Sequence, residues 1–241
     1  MNDTERLVLR AGDPAAGRAV CAVTPELAGW QFSGLEVRDL DGGTPWLVDL
    51  VDREAVVVPL HGGAHLSVTG TGVAELDLAG RPSVFAGPTD VAYLPVGSQV
   101  AITGSGARVA VATSHASQVH PLRHVAAHEV RVDLRGAGAC SRQVNNLTIA
   151  TDVRGHHLLV CEVVTPGGNG SSSPPHKHDE HREDERVLEE IYYFEVADGP
   201  AGPGVGYHRT YGTDERPIEV FAEVRSGDVA LVPHGYHGPC M

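Results

Sequence analysis

Two histidines separated by a single residue, in Pro174-Pro175-His176-Lys177-His178, are the part of the sequence best suited to chemistry. In an extended strand, residues i and i+2 point to the same face, so the imidazoles of His176 and His178 would lie side by side. Two imidazoles placed in this way can bind one divalent metal ion at about 2.0–2.1 Å. The alternative is that both histidines belong to a solvated loop, together with the charged run at residues 179–186.

A metal ion bound by two histidines needs further ligands from neighbouring strands. Glu189 and Glu190 open the apolar run at residues 191–196, and His237 ends the pattern Gly-x5-Pro-x-Gly-x-His just after a predicted strand. Three histidines and one carboxylate would leave open positions on a divalent ion, as catalytic metal sites require. The combination therefore predicts a metal site more strongly than either motif does alone.

The elements that must position these residues are predicted to be short strands. β-branched and apolar runs recur along the chain, separated by Gly and Pro clusters, and few windows show a helical period. Many short strands with turn residues every eight to twelve positions predict an all-β sandwich or barrel. The predicted strands are residues 55–60, 65–68, 73–78, 91–94, 100–102, 109–113, 147–151, 158–164, 190–196, 205–211, 218–224 and 229–232.

An internal repeat divides the chain into two parts. Residues 89–99 (TDVAYLPVGSQ) align without gaps on residues 227–237 (GDVALVPHGYH), near the end of each half. We therefore predict two domains, at residues 1–120 and 121–241. Gln99 stands where His237 stands, so a metal site is expected in the second domain alone.

Composition narrows the classes of partner. The chain of 241 residues has 18 Lys and Arg against 31 Asp and Glu, a formal net charge of −13. Such an acidic balance argues against nucleic acids and anionic membranes, which need clustered positive charge. The four cysteines are widely spaced, no apolar run is long enough to span a membrane, and the first residues do not resemble a secretory signal. We expect a cytoplasmic protein with a small-molecule partner, and homo-oligomerisation is left open.

Longer segments around these residues point to a family. They are residues 29–35 (GWQFSGL), 142–144 (RQV), 161–169 (CEVVTPGGN), 174–179 (PPHKHD), 188–193 (LEEIYY), 209–211 (RTY) and 228–237 (DVALVPHGYH). The histidine motifs resemble those of the cupin superfamily, although the acid follows a longer insertion and the second motif has one residue fewer before its histidine. The whole set is similar to the 5-deoxy-glucuronate isomerase family of myo-inositol catabolism, which belongs with the 5-keto-4-deoxyuronate isomerases as bicupins.

The resemblance implies a bicupin fold of two jelly-roll domains and a metal set. Its members convert 5-deoxy-D-glucuronate to 5-dehydro-2-deoxy-D-gluconate, an aldose–ketose isomerisation. The implied metal ligands are His176, His178, Glu190 and His237. The ion is expected to be zinc, with manganese, iron and nickel as alternatives.

The isomerisation also needs groups that move a proton and bind a carboxylate. Glu189, Tyr192 and Tyr236 are candidates for proton transfer because each is expected near the proposed metal, within two residues of a predicted ligand. Arg142 and Arg209 could bind the substrate carboxylate, because each lies within a family-like segment. Lys177 is a further substrate-binding candidate, although a regular strand would point it away from His176 and His178.

Two other functions remain open at this point. One is a bicupin that binds a sugar acid without turnover, and the other is a cupin dioxygenase that uses iron in a similar site.

Family members continue beyond the position of Met241, so the second domain is expected to be short at its C-terminus. With residues 229–232 as the last predicted strand, a sheet edge would be left open, and we expect either a contact with another chain over that edge or disorder around residues 234–241.

Overall fold

The computed structural model describes residues 2–12, 19–149 and 153–241. Strands make up 47% of it and helices 8%, which confirms the predicted all-β class. None of the helices in these ranges is long and apolar enough to cross a membrane. In chain order the elements are α1 (Asp3–Leu7), β1 (Val8–Leu9), β2 (Cys21–Val23), α2 (Pro25–Ala28), β3 (Ser33–Asp41), β4 (Trp46–Asp49), β5 (Arg53–Thr69), β6 (Ala74–Arg81), β7 (Val91–Leu94), β8 (Gln99–Thr103), β9 (Ser105–His115), β10 (Arg123–Val125), β11 (Arg131–Arg135), β12 (Arg142–Asn146), β13 (Cys161–Val164), β14 (Glu190–Tyr193), β15 (Gly206–Tyr211), β16 (Glu219–Val224), β17 (Val229–Val232) and β18 (Tyr236–Cys240), with 3-10 helices at Val84–Ala86, Ala127–Glu129 and Gly138–Cys140.

The long strand β5 organises the first half. Its first part lies between β7 and β9, and its second part lies between β6 and β8. The change occurs near Gly62, where φ is +69° and a Cβ would lie only 3.0 Å from the Cα of Ala107. Glycine tolerates this backbone and this close approach. One strand therefore serves both parts of a nine-stranded sheet in the order β10-β7-β5-β9-β3-β2, with β6 and β8 also paired to β5 and β4 paired to β8.

The second half consists of three-stranded sheets in the orders β1-β17-β14, β11-β12-β13 and β16-β15-β18. Along β15 and β16 buried and exposed residues alternate, as expected for strands with one face on a core. Between β13 and β14 the chain forms loops and isolated bridges, and the histidine pair lies in this segment. Its position therefore depends on side-chain and bridge contacts with the sheets.

The two halves share a hydrophobic core. One cluster lies within the first half, around Leu66, Leu94 and Ile102. A second cluster combines side chains of both halves, for example Val56 from β5 with Leu231 from β17. Burying an aliphatic side chain of this size is worth about 1.5–3 kcal/mol, so each half stabilises the other.

Charged side chains also link the halves. The buried Arg81 guanidinium pairs with the carboxylate of Glu162. The fully buried Glu54 carboxylate accepts backbone N–H donations from residues 156, 157 and 158 at 2.6–2.7 Å and a hydroxyl donation from Tyr93 at 2.7 Å. These contacts fix residues 156–158 of the second half against β5 of the first.

The internal repeat has a shared local geometry. A buried aspartate precedes each of β7 and β17, and each carboxylate accepts two backbone N–H groups: Asp90 from residues 79 and 80, and Asp228 from residues 11 and 225. Gly97 and Gly235 follow these strands with φ of +86° and +87°. Both copies thus have a buried aspartate before a buried strand and a glycine in the left-handed conformation after it.

The division at residue 120 stays a prediction, and two short strands cross it. β1 pairs with β17 in the second half, and β10 pairs with β7 in the first.

The expectation about the last strand was wrong, because residues after β17 form β18. β18 pairs with β15 on one side, and on the other side Ser171 and His176 form bridges with Cys240 and His237. The edge expected to be open is therefore covered by the chain itself.

Candidate metal centre

His176, His178 and His237 lie together. The backbones of His176 and His237 form an antiparallel bridge, with N–O distances of 3.0 and 3.4 Å. The ring centroids are 4.4 Å apart for His176 and His237, 4.9 Å for His176 and His178, and 5.2 Å for His178 and His237. One nitrogen from each ring lies within 4.8 Å of the other two, a separation that a single metal ion can bridge.

The carboxylate of Glu190 completes this group. Glu190 opens β14 and pairs with Val232 on β17, five residues before His237. Its Oε2 atom lies 3.1 Å from Nε2 of His237 and 3.9 Å from Nε2 of His178. We call His176, His178, Glu190 and His237 the histidine cluster.

Buried polar atoms in the cluster have no hydrogen-bond partner within the described ranges. These atoms are Oε2 of Glu190 and both ring nitrogens of the fully buried His237. Buried polar atoms are normally paired, and leaving them unpaired is costly. Imidazole nitrogens and one carboxylate are the donor set of divalent transition-metal sites, so these residues fit such an ion.

The electrostatics of the cluster agree with this fit. Burial, together with the imidazoles of His176 and His178, lowers the pKa of His237 to about 3. Burial and His176 also lower the pKa of His178. Burial raises the pKa of Glu190, and an interaction with Tyr192 opposes that shift. At neutral pH the rings of His178 and His237 are neutral, so their lone pairs are free for a cation.

Contacts on the opposite side hold the histidine pair in place. Nδ1 of His176 lies 3.3 Å from the carbonyl oxygen of Pro174, which leaves Nε2 for a metal. The Lys177 ammonium lies 2.6 Å from Asp179 and 2.9 Å from Glu185. The other carboxylate oxygen of Asp179 accepts the backbone N–H of Gly235 at 3.0 Å. The two metal-binding motifs are therefore tied together behind the imidazoles.

This arrangement corrects the interpretation of Lys177 and of the charged run. Lys177 points away from the cluster and is surrounded by acids, so the structure does not bring it to a substrate there. The side chains of Asp179 and Glu185 are only 6% and 8% exposed. The run is therefore partly an ion-pair network rather than a fully solvated face.

Tyr192 and His208 form the wall beside the cluster. The Tyr192 ring lies 5.9 Å from the ring of His237 and 5.0 Å from that of His208, and its hydroxyl is 3.1 Å from Oγ of Ser172. His208 is fully buried, with Nε2 at 2.9 Å from the Thr210 hydroxyl, and burial lowers its pKa to about 4. Sequence reasoning missed His208. The alternation along β15 could have placed it inside, because Arg209 on the same strand faces out.

Glu189 does not join the cluster. Consecutive strand residues face opposite sides, so the Glu189 side chain points away from that of Glu190. Its carboxylate accepts the backbone N–H groups of residues 31, 32 and 33 at 2.7, 2.8 and 2.7 Å. The expectation that it lies beside the metal as a proton-transfer group is corrected by this orientation.

Arg209 and Tyr236 also face away from the cluster. Arg209 lies 3.8 Å from Glu219, and its guanidinium lies 4.7 Å above the ring of Tyr211. Tyr236 stacks on the same ring at 5.5 Å, on the side of β18 opposite to His237. The structure therefore separates both residues from the histidines.

Arg142 is the remaining basic candidate. It donates to the carbonyl oxygens of Cys140 at 3.1 Å and Ser173 at 3.4 Å, next to the segment that carries the histidine pair. Within the described ranges no carboxylate lies at ion-pair distance from it. Its charge is therefore available to an acidic ligand.

Comparison with known proteins gives close relatives over most of the chain. The KduI/IolB family matches residues 7–241. The 5-deoxy-glucuronate isomerase of Geobacillus kaustophilus (strain HTA426) is 37% identical over 237 residues, which cover 96% of this chain and 83% of that protein. The 5-deoxy-glucuronate isomerase of Bacillus subtilis (strain 168) is 34% identical over 223 residues, covering 91% and 80%.

Solved structures give the same result for the fold. An IolB-like protein from Salmonella typhimurium LT2 superimposes with a TM-score of 0.86 at 29% identity, covering 97% of this chain and 86% of that one. Oxalate decarboxylase from Lactobacillus farciminis superimposes with a TM-score of 0.63 at 10% identity, covering 97% and 82%, and this likeness concerns the fold alone.

The all-β architecture with its inward-facing histidines is that of a bicupin, which confirms the predicted fold class. The chain belongs to the KduI/IolB family, and it is an enzyme of the isomerase class.

Proposed function

We propose that this protein is a metal-dependent aldose–ketose isomerase that converts 5-deoxy-D-glucuronate to 5-dehydro-2-deoxy-D-gluconate in myo-inositol catabolism. The observation that carries the proposal is the histidine cluster, with its unpaired buried nitrogen and oxygen atoms, in a chain whose curated relatives are named 5-deoxy-glucuronate isomerase. Such a pathway enzyme would work in the cytoplasm, where its four free cysteines stay reduced.

His176, His178, Glu190 and His237 would hold a divalent ion, with zinc as the expected metal and manganese, iron or nickel as alternatives. When bound, the ion would supply Lewis acidity to adjacent carbonyl and hydroxyl oxygens of the sugar, which would make the proton on the hydroxyl-bearing carbon easier to remove.

Of the three candidates for proton transfer, Tyr192 is the one whose ring lies beside that of His237. The isomerisation moves a proton from the hydroxyl-bearing carbon to the aldehyde carbon and also redistributes the hydroxyl protons. Burial raises the pKa of Tyr192, and the nearby Glu190 raises it further, so its hydroxyl keeps its proton at neutral pH. Tyr192 is therefore suited to donate a hydrogen bond to a sugar oxygen that gains negative charge, rather than to act as a resting base.

Arg142 is the proposed partner of the substrate carboxylate. A guanidinium can bind a carboxylate through two parallel hydrogen bonds, and Arg142 has no such partner in the described ranges. It would set the orientation of the sugar acid relative to the cluster.

The test is an anaerobic assay with metal analysis. Purified protein is incubated with 5-deoxy-D-glucuronate without oxygen, the product is followed by NMR, and bound metal is measured by mass spectrometry. We expect about one divalent ion per chain and formation of the ketose. Turnover that needs oxygen would favour the dioxygenase alternative. Sugar-acid binding without turnover in the metal-loaded protein would favour the non-catalytic alternative.

A further inference from the structure

Glu189 links the first half of the protein to the strand that carries Glu190. Its two carboxylate oxygens accept three consecutive backbone N–H groups, from residues 31 to 33, and its carbonyl oxygen lies 3.4 Å from the hydroxyl of Ser33. Hydrogen bonds to a charged acceptor are stronger than those between neutral groups. This contact is therefore strong enough to fix the start of β14.

The donor segment is itself held rigidly by the first half. α2 ends at Gly29, whose φ of +76° turns the chain. The indole N–H of Trp30 donates to the carbonyl oxygen of Ser33 at 2.8 Å, and Ser33 begins β3 opposite Ser114 on β9. The three N–H groups that meet Glu189 are thus oriented before the carboxylate arrives.

β14 needs such a contact because it is an edge strand. Within the described ranges it pairs with β17 on one side only. Glu190 carries a buried oxygen without a hydrogen-bond partner, so its own side chain does little to fix the strand. Since neighbouring residues face opposite sides, fixing Glu189 toward the first half also aims Glu190 at the histidines.

We propose that Glu189 is a positioning residue: by binding the backbone of residues 31–33, it holds Glu190 in line with His176, His178 and His237. The first half, which contributes none of the four predicted ligands, thereby sets the metal affinity of the second half. This inference rests on the proposed metal site, but not on the identity of the sugar.

The chain offers a matched control in Glu54. Its carboxylate also accepts three consecutive backbone N–H groups across the two halves, from residues 156–158, but no predicted metal ligand is next to it. Glu189→Gln and Glu54→Gln each replace one such acceptor with a neutral amide of the same shape. A difference between the variants in metal binding therefore reports on Glu190 rather than on the joining of the halves.

The experiment titrates metal-free protein with Co²⁺, read by visible absorption, and measures urea unfolding of the same samples. We expect Glu189→Gln to weaken Co²⁺ binding by about 10–100-fold and to alter the absorption bands, as for residues that orient metal ligands. Glu54→Gln should leave Co²⁺ affinity within about twofold, even if it lowers the free energy of unfolding more than Glu189→Gln does. Glu189→Asp keeps the charge on a shorter side chain and should give an intermediate affinity. It also serves as the test variant if Glu189→Gln does not fold.

Unchanged Co²⁺ affinity in Glu189→Gln would overturn the proposal, as would an equal loss in Glu54→Gln. Wild-type protein that binds no Co²⁺ would overturn both this inference and the metal site. Wild-type protein that binds Co²⁺ but does not isomerise the sugar would contradict the proposed function and leave the role of Glu189 intact.

Discussion

Glu54 is fully buried and Glu190 has a buried Oε2 atom, yet the surroundings of the two carboxylates are opposite. Glu54 accepts four hydrogen bonds from the protein, and Glu190 has an oxygen with no partner in the described ranges. Burial alone would raise the pKa of both carboxyl groups. For Glu54 the donors outweigh burial and its pKa falls, whereas for Glu190 burial prevails and its pKa rises.

This difference indicates that Glu54 has a structural role and that Glu190 is suited to bind a ligand. The protein completes the coordination of Glu54 with its own N–H and O–H groups, so this carboxylate stabilises the fold. At Glu190 the neighbouring groups are imidazoles that also have free nitrogens. A cation is the partner that such a donor set fits, in agreement with the proposed metal site.

The largest effect is expected from the histidines around Glu190. Replacing both His176 and His178 with Ala should remove the bound metal, from about one ion per chain to none, because losing two ligands exceeds the 10–100-fold cost of losing an orienting contact. Metal analysis and a Co²⁺ titration measure this, and circular dichroism should show the fold retained.

The control for this variant is His65→Ala. His65 contacts Glu75 and Asp77 on the surface of the first half, where the structure forms no such cluster among the described residues. It should keep full metal content. A double variant at His176 and His178 that still binds one ion would show that the site lies elsewhere.

A smaller effect should distinguish the two acids in metal-free protein. Glu54→Gln should lower the free energy of unfolding at pH 7 by about 1–3 kcal/mol, because backbone N–H groups lose a charged acceptor. Glu190→Gln should leave it unchanged or raise it, because it removes no protein hydrogen bond from the unpaired oxygen and relieves the burial of a charge. Urea unfolding measures both values, and equal losses would erase the distinction.

The same pair predicts a dependence on pH. The folded-state pKa of Glu54 lies below its ordinary value of 4.5, so the unfolded protein binds a proton more readily. The stability that this carboxylate contributes is complete above pH 4.5 and is lost as the pH falls through the folded-state pKa. Wild-type protein should therefore lose stability more steeply in acid than Glu54→Gln does. Parallel curves for the two proteins would contradict this assignment.

The smallest effect is expected in the first copy of the repeat. Gln99 follows Gly97 as His237 follows Gly235, but Gln99 is exposed and lies 3.4 Å from Asp49 rather than beside other histidines. Gln99→His should therefore leave metal content at about one ion per chain, since a lone imidazole lacks companion ligands. A second bound ion in this variant would show that the repeat retains a latent site.

The residues of the histidine cluster could be named from sequence because their spacing is local. The i, i+2 rule joined His176 to His178, and the second motif together with the family resemblance supplied His237 and Glu190. The same alternation, which indicated that Lys177 points away, would also have turned Glu189 and Tyr236 away from the cluster. For those two residues, closeness in sequence was taken as closeness in space.

Other features depended on long-range contacts that local patterns do not contain. The charged run was interpreted as solvated because its partner Lys177 lies outside it. β18 was missed because Tyr236–Cys240 contains Gly and Pro, and its pairing with β15 and with residues 171–176 stabilises it. The all-β class followed from strand-length runs and turns, whereas the pairing of β1 with β17 had no trace in either sequence segment.

The pairing of β1 with β17 affects how the protein folds during its synthesis. Val8 and Leu9 pair with Ala230 and Val229, and the N–H groups of residues 219 and 221 meet side chains of α1. At a synthesis rate of about 5–20 residues per second, the N-terminal segment waits roughly ten seconds or longer for these partners. The half that carries the histidine cluster therefore closes only when translation is almost complete. A nascent chain stalled before residue 229 would leave the apolar side chains of Leu7 and Val8, which are buried in the complete protein, without β17 to pair with and pack against.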